Sequence, residues 1–311
     1  MPVYATTLTR IPASFALGRA PDRSESRPYV VAKTATQREA LSVRWHSTET
    51  VTRSIAEETP IGIYYNGLPY AVMMATPADL EDFGTGFSIT ERIVEHRNQL
   101  LELQVKPTGL GVELRITVDK TAILGRVKER GRSIPGRTGC GLCGVHRLEE
   151  AIIDLPRVAQ GEPVRSTAIR AAINDLASGQ SLNAETHAVH AAAWSSPDGQ
   201  LLLIREDVGR HNALDKLIGA MASAAIDART GFCVITSRCS YEMVQKAALA
   251  GIAVIVAISA PTELAIQQAE AAGVTLVALA RSDGFAIYAH PERVITWNLR
   301  LTTPLSEALS A

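Results

Sequence analysis

Between Thr186 and Arg281 short, continuously apolar runs take turns with longer amphipathic ones. LLLIR is followed by NALDKLIGAMA, FCVITS by YEMVQKAALA, AVIVAIS by ELAIQQAEAA, and the series closes on TLVALA. Apolar runs without polar alternation suit strands covered on both faces, and the intervening segments are long enough to be the covering helices. The pattern predicts an α/β sandwich whose strands are at least partly parallel. Just before it, THAVHAAAW reads as a strand paired with LLLIRE around the Pro197-Asp198-Gly199 turn. On that strand His187 and His190 fall on opposite faces, which favours a structural role over shared metal binding.

In an open sheet of this kind ligands collect where strands end and the chain turns into the next helix. The polar residues concentrate at those ends: Glu206 to His211, Ser237 to Ser240, Ser259 to Thr262 and Arg281 to Gly284. Helix N-termini with free amides, together with Arg210, Arg238, Lys246 and Arg281, suit an anionic, phosphate-bearing ligand, with His211 and Ser237 beside them. Ordinary caps and turns are the competing reading of each loop. His211 and Asp215 stand four apart at a helix start, a spacing that lets the carboxylate orient the imidazole. Cys233 lies inside an apolar run and reads as an inert core thiol.

The first half is organised differently. Residues 1–50 mix Pro, Ser, Arg and Thr without sustained periodicity and read as a loosely ordered extension, with one strand near Tyr29 to Ala32. IGIYYNG and YAVMMAT form a hairpin around Asn66-Gly67. Thr76 is placed to cap a helix that continues to Ile93, with Pro77 in its first turn. Leu101 to Val105 and Gly111 to Val118 alternate like paired strands, and Lys120 to Arg130 reads as a basic helix. After a helical stretch from Val145 to Leu155, Gly161-Glu162-Pro163 breaks the pattern before Ser166 caps a helix over Thr167 to Leu176. The expected division is an extension over 1–50, a smaller α+β domain over 51–160 and a ligand-binding α/β domain over 161–311, giving α+β overall.

At the join lies GRTGCGLCG, residues 136–144, which sets Cys140 and Cys143 in C-x-x-C spacing among glycines and beside Arg126, Lys128, Arg130, Arg132, Arg137, His146 and Arg147. A free cysteine, with a pKa of about 8.5, is mostly thiol near neutrality, and a positive surrounding favours the thiolate. Such a thiolate serves as nucleophile, redox group or metal ligand. The glycines formally match a dinucleotide fingerprint, but basic residues and Pro135 stand where an apolar strand should precede it. His290-Pro291-Glu292 follows the cysteine pair instead of preceding it, so a deaminase zinc site does not fit, and no metal is expected. A thioredoxin-like dithiol fits the spacing but not the glycine-rich context.

The chain has 311 residues, is 46% hydrophobic and carries a formal charge of −1, which suits a globular protein and gives no broad basic surface for nucleic acid. No apolar run approaches the ~20 residues of a membrane span, and no apolar leader is evident, so a cytoplasmic setting is expected. Four cysteines do not make a disulfide scaffold.

Asn66-Gly67, Thr76-Pro77, GFSITE at 86–91, GRTGCGLCG, THAVHAAAW, EDVGRHNALDK, SRCSYEMVQKAA, SAPTELA and Tyr288-x-His290-Pro291 together resemble the FdhD family of formate dehydrogenase accessory sulfurtransferases, from about Pro60 to Val294. The resemblance implies a cytoplasmic protein that accepts sulfur from a cysteine desulfurase, and a homodimer is the expected assembly. The protein passes that sulfur to the molybdenum bis(molybdopterin guanine dinucleotide) cofactor of formate dehydrogenase. It also implies a C-terminal domain similar to the cytidine deaminase fold without its zinc chemistry. Matched motif by motif, Cys140 carries the persulfide and Cys143 assists. The cofactor contacts fall on Leu279, Ala280, Arg281, Ser282, Asp283 and Gly284, where Leu279 stands in place of the family's usual Phe. A non-catalytic cofactor carrier and a dithiol oxidoreductase are the rival readings of the same residues.

Overall fold

The computed structural model describes residues 33–119 and 153–296. Its largest layer is a sheet ordered β13-β12-β11-β10-β8-β9, formed by β8 (His190–Ser195), β9 (Leu201–Asp207), β10 (Phe232–Ile235), β11 (Val254–Ala257), β12 (Thr275–Arg281) and β13 (Gly284–Ala289). β10, β11 and β12 are mutually parallel; β8 runs antiparallel to both β10 and β9, and β13 antiparallel to β12. β9 therefore points the same way as β10 to β12. The predicted alternation is present, with every residue of β10 and β11 buried.

Helices α2 (Ser166–Gly179), α3 (Ser181–Thr186), α4 (Arg210–Ser223), α5 (Tyr241–Leu249) and α6 (Glu263–Ala272) accompany this sheet, after α1 (Leu80–Thr90) from the first half. α6 is capped by Thr262, whose hydroxyl accepts from the Ala265 amide, and ends on Gly273 at φ 74°. His187 is not on a strand: it closes α3 at φ 53°, and β8 begins only at His190. Val145 to Leu155 is described only from residue 153, and residues 153–163 form no helix.

The first half contributes a sheet ordered β4-β3-β6-β5, from β3 (Thr59–Tyr65), β4 (Leu68–Ala75), β5 (Leu100–Pro107) and β6 (Val112–Val118). The Asn66-Gly67 turn is present with both residues at positive φ, 49° and 81°, as a type I′ hairpin requires. The Asn66 side chain also accepts from the Val118 amide and donates to its carbonyl, tying the turn to β6. The stretch expected to be loosely ordered differs from that expectation: β1 (Ala35–Arg44) and β2 (Ser47–Ala56) form a ten-rung antiparallel ribbon, with Trp45 exposed at its tip. A short parallel pair, β7 (Val164–Arg165) with β14 (Val294–Ile295), completes the fold. The strand near Tyr29 and the basic helix over Lys120 to Arg130 fall outside the described residues.

The two halves share one apolar core, running from Ile61, Phe83 and Leu114 to Leu214, Val256 and Leu276. α1 lies on α4 at a backbone-to-backbone contact. A side chain on Gly86 would overlap the carbonyl group of Asp215, and one on Gly219 that of Asp82. Glycine is required at both points because no space exists for a Cβ. Arg205 fastens the same crossing by bonding Asp82 at 2.7 Å and 2.8 Å.

Candidate functional site: a rim at the strand ends

Because β9 to β12 share a direction, their four carboxyl ends reach one edge of the sheet, and the loops predicted to hold a ligand form one rim. Backbone bonds stitch these loops together. The Cys239 amide donates to Ala260, Thr262 donates back to Cys239, and the Leu279 amide donates to Ser259. β8, running the opposite way, brings its first residue, His190, to the same edge opposite Asp207.

Directly beneath the rim lie three buried polar groups of residues. The Asp207 carboxylate accepts from Lys216 Nζ at 2.7 Å, the Thr76 amide at 3.0 Å, the Gly209 amide at 2.8 Å and Asn212 Nδ2 at 3.0 Å. Lys216, wholly buried, also donates to the carbonyls of Thr76 and Glu206. A second group joins Lys246 Nζ to both Asp215 oxygens at 2.9 Å and to the Thr90 hydroxyl at 3.0 Å. In the third, Glu242 Oε2 stands 3.0 Å from His211 Nε2 and accepts from Ser240 at 3.1 Å. Each charge is paired and each carboxylate multiply bonded, the condition under which charge is tolerated inside a protein.

These contacts correct three expectations. Thr76 does not cap α1, whose first residue is Leu80 and whose N-cap is Asp79. Its hydroxyl instead accepts from the Val208 amide, bracing the start of the rim from the other half of the molecule. Asp215 does not orient His211, since it is occupied by Lys246 and Thr90, and Glu242 takes that place. Lys246 is correspondingly no rim cation, because it is buried in its ion pair.

The remaining predicted residues divide by position. Arg238, Leu279, Arg281, Ser282, Asp283 and Gly284 are exposed along the rim, whereas Ser237 and His211 are buried just below it and Ala280 turns into the core. Arg210 is half-buried at the first position of α4, and its Nε has no hydrogen-bond partner among the described residues. Leu279 holds φ 53°, a left-handed conformation unusual for leucine, at an irregularity in the β12–β13 pairing. Cys140 and Cys143 lie outside the described residues.

Sequence reasoning missed His190 and Glu242 as members of this rim. His190 is half-buried, and burial, followed by the neighbouring Arg210 charge, pushes its pKa below the usual histidine value. Glu242 directly follows the Ser237–Ser240 loop, but only folding shows that it meets His211. The two described cysteines are inert: burial pushes Cys239 up to about 12 and Cys233 further up, with Cys239 adding to the rise.

A cavity of about 560 Å³ lies elsewhere, at the C-terminal ends of α1, α4 and α5. It is lined by Ile89, Ile218, Met221, Ile226 and Leu249, with Glu95, His96 and Arg97 among its polar residues, and contains none of the predicted site residues. No helix among the described residues is long and apolar enough to cross a membrane.

Mixed sheets flanked by helices, with polar and cationic loops gathered on one sheet edge, define an α+β protein. Residues 56–295 match the model of the FdhD/NarQ family, and the chain belongs to that family. It is 48% identical over 240 residues to a protein of Bordetella petrii named sulfur carrier protein FdhD, covering 77% of this chain and 86% of that one. The protein of the same name from Cupriavidus necator is 47% identical over 246 residues, covering 77% of this chain and 83% of its own. Among solved structures, a protein from Desulfotalea psychrophila described as a formate dehydrogenase accessory protein superposes with a TM-score of 0.69. It is 26% identical and covers 85% of this chain and 100% of its own.

Proposed function

We propose that this protein is a cytoplasmic sulfur carrier that loads sulfur on Cys140 and delivers it to a molybdenum bis(molybdopterin guanine dinucleotide) cofactor destined for formate dehydrogenase. In the first step the Cys140 thiolate attacks the terminal sulfur of a cysteine desulfurase persulfide. A new S–S bond forms, the donor's S–S bond breaks, and the donor cysteine leaves as thiolate. Cys143, three residues on, assists acceptance or release. The cofactor, as cargo, docks on the rim, and the working unit is a homodimer.

Family membership and the relatives' name support the sulfur-carrying part. The observation that carries the cargo site is the rim itself: Arg210 with an orphaned buried Nε, and Arg238 and Arg281 exposed on the same edge. A buried donor without a partner is costly, and an anionic ligand at the start of α4 would satisfy it. Leu279 and Ser282 to Gly284 offer their exposed surface to the same ligand.

Intact-protein mass spectrometry after incubation with a cysteine desulfurase and cysteine tests the loading step. The expected result is a gain of one sulfur, removed by reductant and mapped to Cys140, and its absence in Cys140→Ala. Undiminished sulfur loading by Cys140→Ala would move the sulfur to another cysteine, and undiminished cofactor activation by that variant would favour a non-catalytic carrier; either overturns the assignment.

A further inference from the structure

His211 was expected among residues that hold an anion, but its bonding points to the opposite polarity. Glu242 Oε2 already accepts the Ser240 hydroxyl hydrogen at 3.1 Å, and His211 Nε2 stands 3.0 Å from that same oxygen. Two donors converging on one carboxylate oxygen place the hydrogen on Nε2. In a neutral imidazole the other nitrogen, Nδ1, then holds a lone pair. Nδ1 has no hydrogen-bond partner among the described residues. His211 itself is 4% exposed, so only a narrow edge of the ring is open.

Around that edge the polarity is already positive. His211 is the second residue of α4, within the turn whose amides are unsatisfied, and Arg210 precedes it. We infer that Glu242 fixes His211 as a neutral hydrogen-bond acceptor, and that His211 Nδ1 receives an N–H of the ligand's planar heterocycle while the phosphates are held by the arginines. This rests on the rim being the nucleotide-bearing cargo's site. Guanine offers such donors at its ring and exocyclic nitrogens, whereas an ionised diphosphate offers none. Glu242 is thus a positioning residue, acting through His211, and the rim has two kinds of subsite.

The test has two readouts. Nitrogen-15 NMR of ring-labelled histidine, with the His211 signal assigned by its loss in His211→Asn, reports directly which ring nitrogen carries hydrogen. Wild type is expected to show hydrogen on Nε2 alone. Glu242→Gln, whose amide can donate toward the ring, is expected to shift it to Nδ1. Hydrogen on Nδ1, or on both nitrogens, in the wild type overturns the inference without requiring any variant to fold.

Calorimetric titration with guanosine diphosphate and with pyrophosphate supplies the second readout. In His211→Phe, which keeps a ring but offers no acceptor, nucleotide affinity is expected to fall about tenfold, from one lost buried hydrogen bond, with pyrophosphate affinity within about twofold of wild type. A parallel loss for both probes overturns the inference. Absence of nucleotide binding by wild type refutes the reading of the rim, and the NMR signal, which needs no ligand, separates that failure from this one.

Discussion

Gly86→Ala sets two well-characterised effects against each other. Gly86 lies inside α1, where replacing glycine by alanine favours the helix by about 1 kcal/mol. Against this, the new Cβ would sit 2.7 Å from the Asp215 carbonyl carbon and 2.8 Å from the Gly219 amide nitrogen, with the Asp215 oxygen closer still. Carbon contacts are comfortable at about 3.5–4.0 Å, so α1 and α4 would have to part by about 1 Å or more. The obstacle is backbone on both sides, so no rotamer change relieves it. Overpacking of about 1–3 kcal/mol is the ordinary cost of an added methyl, and a rigid backbone contact belongs at or above its upper end. With the helix gain subtracted, the expected net loss is about 2 kcal/mol or more, or about 3 °C or more in Tm for a chain of 311 residues. Urea and thermal unfolding measure it, with Gly109→Ala as control, since nothing lies within 4 Å of a Cβ there. An unchanged or raised Tm for Gly86→Ala would refute the close-contact argument, because propensity alone would then have decided the sign.

Other consequences are as direct. Lys246→Ala leaves the Asp215 carboxylate buried with only Thr90 bonded to it, and unfolding experiments should show a loss of about 3–5 kcal/mol. The double change Lys246→Met with Asp215→Leu should recover part of that loss; no recovery would mean the pair is not the source. The lowered pKa of His190 means the unfolded chain binds its proton first as pH falls, so this residue's contribution favours folding above about pH 6.5 and is lost below it. His190→Gln should therefore flatten the acid side of the Tm profile, and an identical slope in the variant would exclude His190 as its source. Brief iodoacetamide treatment of the native protein near pH 8 should leave Cys233 and Cys239 unmodified on peptide mapping, and labelling of either contradicts their burial.

What could be read directly from the chain was whatever depended on nearby residues. The Asn66-Gly67 turn needed only a dipeptide that tolerates positive φ, and the β9 to β12 alternation needed only apolar runs too short for helices. The β1–β2 ribbon escaped because most of its residues are exposed and no apolar period marks it, its ladder being held by backbone hydrogen bonds. Thr76 carried a plausible cap signal, but its hydroxyl serves Val208, 132 positions away. His211 and Asp215 had helix spacing, yet each found a partner 31 positions along, in Glu242 and Lys246. Position along the sequence located the rim; the identity of each ion pair depended on which helices came to lie together.

The crossing of α1 and α4 also bears on how the chain is made. During synthesis the Gly86 face of α1 and the Thr76 backbone emerge long before the residues that cover them, with 131 positions between Thr76 and Asp207. At about 5–20 residues per second that gap lasts about 7–26 s. The nascent first half must therefore wait on the ribosome with part of its apolar surface uncovered, in the interval when a chaperone has most to bind. A chain assembled this way completes its strand-end rim and its first half in the same event.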